Sequence, residues 1–110
     1  MPRSISPQEF ESNVLHEAKP VLLVCLRKDG GFRSQLEAIE EVCRELGGGL
    51  DVYLVDEDYI TTFWERYGIR GTPTFMMFCN GRGVARLLGR ASAPTLSTFI
   101  RDYLKSREAC

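Results

Sequence analysis

Six consecutive residues, Val21-Leu22-Leu23-Val24-Cys25-Leu26, are apolar without alternation. A strand with one wet face alternates apolar and polar positions. An unbroken run therefore reads as a strand covered on both faces, the arrangement of a parallel sheet with helices on either side. The run is the longest apolar stretch of the chain, and it is far shorter than the roughly 20 residues a membrane-spanning helix requires. At 110 residues the chain is expected to be a single domain, residues 1–110, large enough to bury a core without a metal or a disulfide. Its 44% hydrophobic and 26% charged content excludes a disordered, collagenous or coiled-coil chain.

The elements around the run follow from local signals. Ser6-Pro7-Gln8-Glu9 is a capping box with proline at the first helical position, and Phe10, Val14 and Leu15 make an apolar stripe, so a helix is expected to about Glu17. Arg27 to Gly31 is a polar break. Leu36, Ile39, Val42, Cys43 and Leu46 then recur at helical spacing until Gly47-Gly48-Gly49 stops the helix. Val52 to Val55 reads as a second strand, ending in Asp56-Glu57-Asp58. A short helix carries Ile60, Phe63, Trp64 and Tyr67 to Gly68. Thr74 to Cys79 is a third strand, and Asn80-Gly81 turns it into a fourth, Val84 to Leu88. Ser92-Ala93-Pro94 opens a last helix with Leu96, Phe99, Ile100, Tyr103 and Leu104 on one face. The order αβαβαββα predicts an α/β fold: a three-layer α/β/α sandwich around a mixed four-stranded sheet.

The net charge of −1 implies no nucleic-acid or membrane partner, but it hides a division. Residues 1–65 carry 6 basic and 13 acidic side chains, and residues 66–110 carry 8 basic and 2 acidic. Met1 to Pro7 has no apolar run behind it, so no signal peptide is read and a cytoplasmic location is expected. Cys25, Cys43, Cys79 and Cys110 include no C-x-x-C pair and no zinc-ligand spacing, so no metal is expected. In a reducing cytosol they would remain thiols, with Cys25, Cys43 and Cys79 behaving as small apolar side chains. His16 is the only histidine, which leaves no Ser/His/Asp arrangement. No phosphate loop is present, and no cofactor is expected. Phe63, Trp64 and Tyr67 read as core packing rather than a cofactor box.

Lys19-Pro20-Val21-Leu22-Leu23-Val24, Tyr67-Gly68-Ile69-Arg70-Gly71-Thr72-Pro73-Thr74, Asn80-Gly81 and Gly89 together resemble the thioredoxin family across nearly the whole chain. The resemblance implies the thioredoxin fold, with a cis-proline at Pro73. It breaks at the active site. Where thioredoxins carry Trp-Cys-Gly-Pro-Cys, this chain has Lys28-Asp29-Gly30-Gly31-Phe32-Arg33-Ser34. Counted forward from Lys19-Pro20, the cysteine positions fall on Gly30 and Arg33; counted backward from Val52, on Asp29 and Phe32. The family's buried carboxylate aligns with Cys25. Leu26 to Gly30 is also similar to a stretch of phosducin-like proteins, which are non-catalytic.

Disulfide exchange needs an attacking thiolate with a resolving thiol beside it, and this loop has neither. Two readings of the retained turn stand side by side. Either Pro73 is only a fold element, or its turn still pairs with an extended peptide, as the family's does. In the second case the groove would comprise Lys28, Asp29, Gly30, Gly31, Phe32, Arg33, Arg70, Thr72, Pro73, Gly89 and Arg90. At the start of the second helix, Asp29 is expected as the N-cap, with a bound anion held by Gly30-Gly31, Lys28 and Arg33 as the rival. The leading expectation is a non-catalytic protein- or peptide-binding, chaperone-like module. Its partner would be a protein or extended peptide, acidic because Arg27, Lys28, Arg33, Arg70 and Arg90 would make the groove positive. The alternative is an atypical thiol–disulfide oxidoreductase of redox homeostasis acting through Cys25 or Cys110. A third reading is a structural subunit whose groove is unused.

Overall fold

The apolar run forms the middle strand of the sheet in the computed structural model, which describes residues 3–16 and 19–106. Five strands, β1 (Arg3–Ile5), β2 (Val21–Cys25), β3 (Asp51–Val55), β4 (Thr74–Cys79) and β5 (Arg82–Leu88), stand in the order β1-β3-β2-β4-β5. β3 runs parallel to β1 and β2, β4 antiparallel to β2, and β5 antiparallel to β4. All five residues of β2 are buried, as two-sided coverage requires. Helices α1 (Pro7–Phe10) and α3 (Ile60–Tyr67) cover one face; α2 (Phe32–Leu46) and α4 (Ala93–Ser106) cover the other. The result is the expected α/β/α sandwich.

Each face has its own core. On the α1/α3 side, Phe10, Tyr67 and Phe78 meet edge to face with centroids 5.4–5.8 Å apart, and Phe63 joins at 5.1 Å from Phe10. Such pairs add to what the burial of each ring contributes. On the α2/α4 side, Ile39, Val42, Leu96 and Ile100 pack on Leu22, Val24, Phe75 and Met77. The hairpin behaves as its sequence demands: Asn80 (φ 53°) and Gly81 (φ 80°) both take the left-handed conformation of a type I′ turn. A side chain at position 81 would also strike the Leu15 carbonyl oxygen.

The structure corrects three expectations. The sheet has five strands rather than four, because Arg3–Ile5 adds a parallel edge strand on β3 and buries Ile5. The first helix is short and widens into a π-helical turn, Glu11–Leu15; Glu17, where it was expected to end, lies outside the described residues. The buried stripe of α2 is Gln35, Ile39 and Val42, one residue away from the expected start at Leu36, which is only half-buried. Cys25 and Cys43 are free; Cys110 lies outside the described residues. Among the described residues, no helix is long and apolar enough to cross a membrane, and no group of three or more His, Cys, Asp or Glu is placed to hold a metal.

Candidate functional site

Two loops meet at the end of the sheet where β2 finishes. The first carries the chain from β2 into α2 and folds back on itself: Asp29 N–H donates to the Arg27 carbonyl (2.9 Å), and Phe32 N–H donates to that of Asp29 (3.1 Å). Asp29 is not the expected N-cap. That position is Gly31, which supplies no side-chain hydrogen bond to the helix. Asp29 Oδ1 instead accepts from the N–H of Gly31 itself at 2.9 Å, three residues before the helix begins at Phe32. The second loop is the turn before β4. Its Thr72–Pro73 bond is cis, the Thr74 hydroxyl donates to the Gly71 carbonyl (2.6 Å), and Gly89 N–H donates to the Pro73 carbonyl (2.8 Å).

Between them lies a groove with a cavity of about 30 Å³, lined by Leu26, Asp29, Gly31, Gln35, Thr72, Pro73 and Arg90. Of the residues expected there, Asp29, Gly31, Thr72, Pro73 and Arg90 converge, with Gly89 hydrogen-bonded to the turn. Lys28 and Phe32 do not. They line an adjoining cleft of about 210 Å³ with Ser4, Leu26, Leu54, Val55, Asp56 and Glu57, where Glu57 Oε1 accepts from Lys28 N–H at 2.7 Å. Gly30, Arg33 and Arg70 are exposed and line neither space.

The positive groove foreseen from the sequence is therefore corrected. The Arg27 guanidinium stacks over the Trp64 ring, 5.0 Å from its centroid, and only Arg90 reaches the groove. It does so with a carboxylate beside it, Asp29 Oδ1 at 3.9 Å. The Arg90 guanidinium lies against Gly31, filling the space a side chain there would need.

Gln35 is the residue that sequence reasoning missed. Its amide clamps Ala91 in both directions: Nε2 donates to the Ala91 carbonyl (2.7 Å) and Oε1 accepts from Ala91 N–H (3.0 Å). The side chain is 4% exposed. A signal was present, because Gln35, Ile39, Val42 and Leu46 follow helical spacing, and a polar residue at the head of an apolar stripe calls for a buried partner.

The Thr72 peptide carries the main opportunity. Among the described residues, neither its N–H nor its C=O takes part in a hydrogen bond, and the residue is half-buried at the groove. Backbone groups in such a position seek partners.

Comparison with known proteins places this geometry. The family model described as Thioredoxin matches residues 2–102.

The chain belongs to the thioredoxin family.

It is 32% identical to a thioredoxin of Griffithsia pacifica over 98 residues, covering 88% of this chain and 90% of that protein. A thioredoxin of Pseudomonas aeruginosa is 30% identical over 98 residues, 88% of this chain and 91% of its own. A solved structure of a mutant thioredoxin from Halobacterium salinarum NRC-1 shares the fold with a TM-score of 0.79 at 22% identity, covering 93% of this chain and 89% of that one.

Within this thioredoxin fold the described thiols are poorly placed for exchange. Cys25 lies on β2 opposite Thr74 and is 1% exposed. Burial pushes its thiol from 9.0 up to about 12, with the Arg86 guanidinium acting in the opposite sense. Cys43 is half-buried on α2 and is also raised, first by burial. Neither lines the groove, so nothing in the described loop can supply the thiolate that exchange requires.

Proposed function

We propose that this thioredoxin-family protein is a non-catalytic binding module that takes an extended peptide or protein segment along the groove at Thr72-Pro73. The observation carrying this reading is the half-buried Thr72 peptide, whose N–H and C=O have no partner among the described residues. A segment running beside the turn would satisfy both groups, as in strand addition. The loop opposite is shaped for contact rather than chemistry: the residues it turns to the groove are Leu26, Asp29 and Gly31, with no thiol. A chaperone-like role, in which the segment belongs to a partially folded partner, is the same reading on a larger scale. The cytoplasmic location belongs to this proposal.

The relatives' names favour a second reading, thiol–disulfide exchange. Against it stand the cysteine spacings, with no C-x-x-C pair, and the buried, proton-holding Cys25.

An array of immobilised twelve-residue peptides probed with the labelled protein separates the readings. Capture that survives dithiothreitol and falls at least tenfold with Thr72→Arg is expected. Capture released by dithiothreitol would mark a mixed disulfide and support exchange. Capture that Thr72→Arg leaves intact would remove the groove from the account.

A further inference from the structure

We propose that the groove contains a single carboxylate subsite whose cation is Arg90, and that Asp29 is its built-in occupant, displaced by an acidic residue of the bound segment. This rests on the groove reading and assigns its specificity.

Arg90 is anchored at the backbone and loose at the tip. On one side, Gly89 N–H is tied to the Pro73 carbonyl at 2.8 Å. On the other, Ala91 is held by both arms of the Gln35 amide, at 2.7 and 3.0 Å. The Cα of Arg90 is thus fixed to the turn and to α2, while its side chain is 62% exposed. That side chain lies across the groove over Gly31, a position whose lack of a side chain makes room for the guanidinium. A ligand entering beside Thr72 and Pro73 meets it directly, because all of these residues line the same cavity of about 30 Å³.

The contact holding the guanidinium there is weak. Asp29 Oδ1 stands 3.9 Å from Nη2, at the outer limit of an ion pair, and the same oxygen already accepts from Gly31 N–H at 2.9 Å. An exposed pair of this kind is worth at most about fivefold in an equilibrium. A carboxylate free to approach the guanidinium side-on makes two parallel, charge-assisted hydrogen bonds, which the tethered Asp29 does not. Asp29 is thus a competitor that an incoming carboxylate outmatches, while a neutral segment gains nothing by moving Arg90. The other cations near this end of the sheet, Lys28, Arg33 and Arg70, do not line the groove. Selection should therefore depend on one acidic residue at one position, not on the total negative charge of the segment.

The test is a ¹H–¹⁵N NMR titration of the full chain. The probes are an uncharged octapeptide of alternating threonine, valine and glutamine, and eight derivatives each with glutamate at a different position. Signals of Gly31, Thr72, Ala91 and the Gln35 side-chain amide report the site, and the spectrum itself verifies folding of each variant. One derivative should bind about fivefold more tightly than the uncharged peptide. Arg90→Gln should abolish that preference. Asp29→Asn keeps an acceptor for Gly31 N–H but removes the competing charge, and it should tighten the preferred derivative about threefold. Equal binding of all nine peptides, a preference that survives Arg90→Gln, or no change with Asp29→Asn would overturn the subsite and leave the groove standing. No shift of the Thr72 and Gly31 signals with any peptide would overturn both.

Discussion

Replacing Gln35 by methionine tests how the groove is held together. Methionine matches glutamine closely in length and volume, so Gln35→Met removes the two hydrogen bonds to Ala91 without opening a cavity. Each such bond contributes about 0.5–1.5 kcal/mol net. Ala91 is itself half-buried, so water can restore only part of what its N–H and C=O lose. The expected loss is about 1–3 kcal/mol, or a fall in Tm of about 4–12 °C for a domain of this size. Urea unfolding followed by circular dichroism is the assay: the midpoint should drop while m stays constant, because the fold and the buried area are unchanged. Amide exchange at Ala91 should accelerate in the same variant, since the 89–91 segment would then be tied only through Gly89. Leu36→Met is the control, because Leu36 lies outside both core clusters and its replacement should stay within about 0.5 kcal/mol. A loss below about 0.5 kcal/mol for Gln35→Met, or a larger loss for Leu36→Met, would refute the assignment of the buried face of α2.

Three other outcomes follow from particular groups. Because the Cys25 thiol is raised from 9.0 to about 12 in the folded chain, the unfolded chain loses this proton first. Stability should therefore be complete below pH 9 and decline by about 1.4 kcal/mol per pH unit on the way toward 12, a slope that urea melts should find flattened in Cys25→Ala. Brief alkylation of the native protein followed by peptide mapping should label Cys43 well before Cys25; rapid native labelling of Cys25 would contradict its burial. Gly81→Ala should cost about 2 kcal/mol or more in a thermal melt, since it combines the left-handed backbone with a collision against the Leu15 carbonyl. An unchanged Tm would show that the hairpin tip can move away from Leu15.

The strands and helices that carry strong local chemistry were legible from the sequence. The Val21–Leu26 run, the Asn80-Gly81 turn and the Ser92 cap, whose Oγ accepts from Thr95 N–H at 3.3 Å, each state their conformation within a few residues. Arg3–Ile5 does not, because three residues show no period; they become a strand only where β3 offers a parallel edge. The site was legible as a region and not as a set of contacts. Thr72, Pro73 and Arg90 were placed together by the fold. The directions of Lys28 and Phe32 depend instead on a tight loop whose hydrogen bonds run through Asp29, and nothing in their order reveals which side of it they face. Arg27 illustrates the same limit, since its charge counts toward a basic groove until the Trp64 ring is seen beneath it. Gln35 was concealed by the assumption that an apolar stripe begins with an apolar residue.

The central claim is that the loop ahead of α2 binds and does not exchange disulfides. Insulin reduction driven by NADPH and thioredoxin reductase measures this directly. The account predicts NADPH consumption at the rate of the protein-free blank, in the parent and in Cys25→Ser alike. Turnover above the blank that disappears in Cys25→Ser would contradict it, and would make the buried thiol the reacting group.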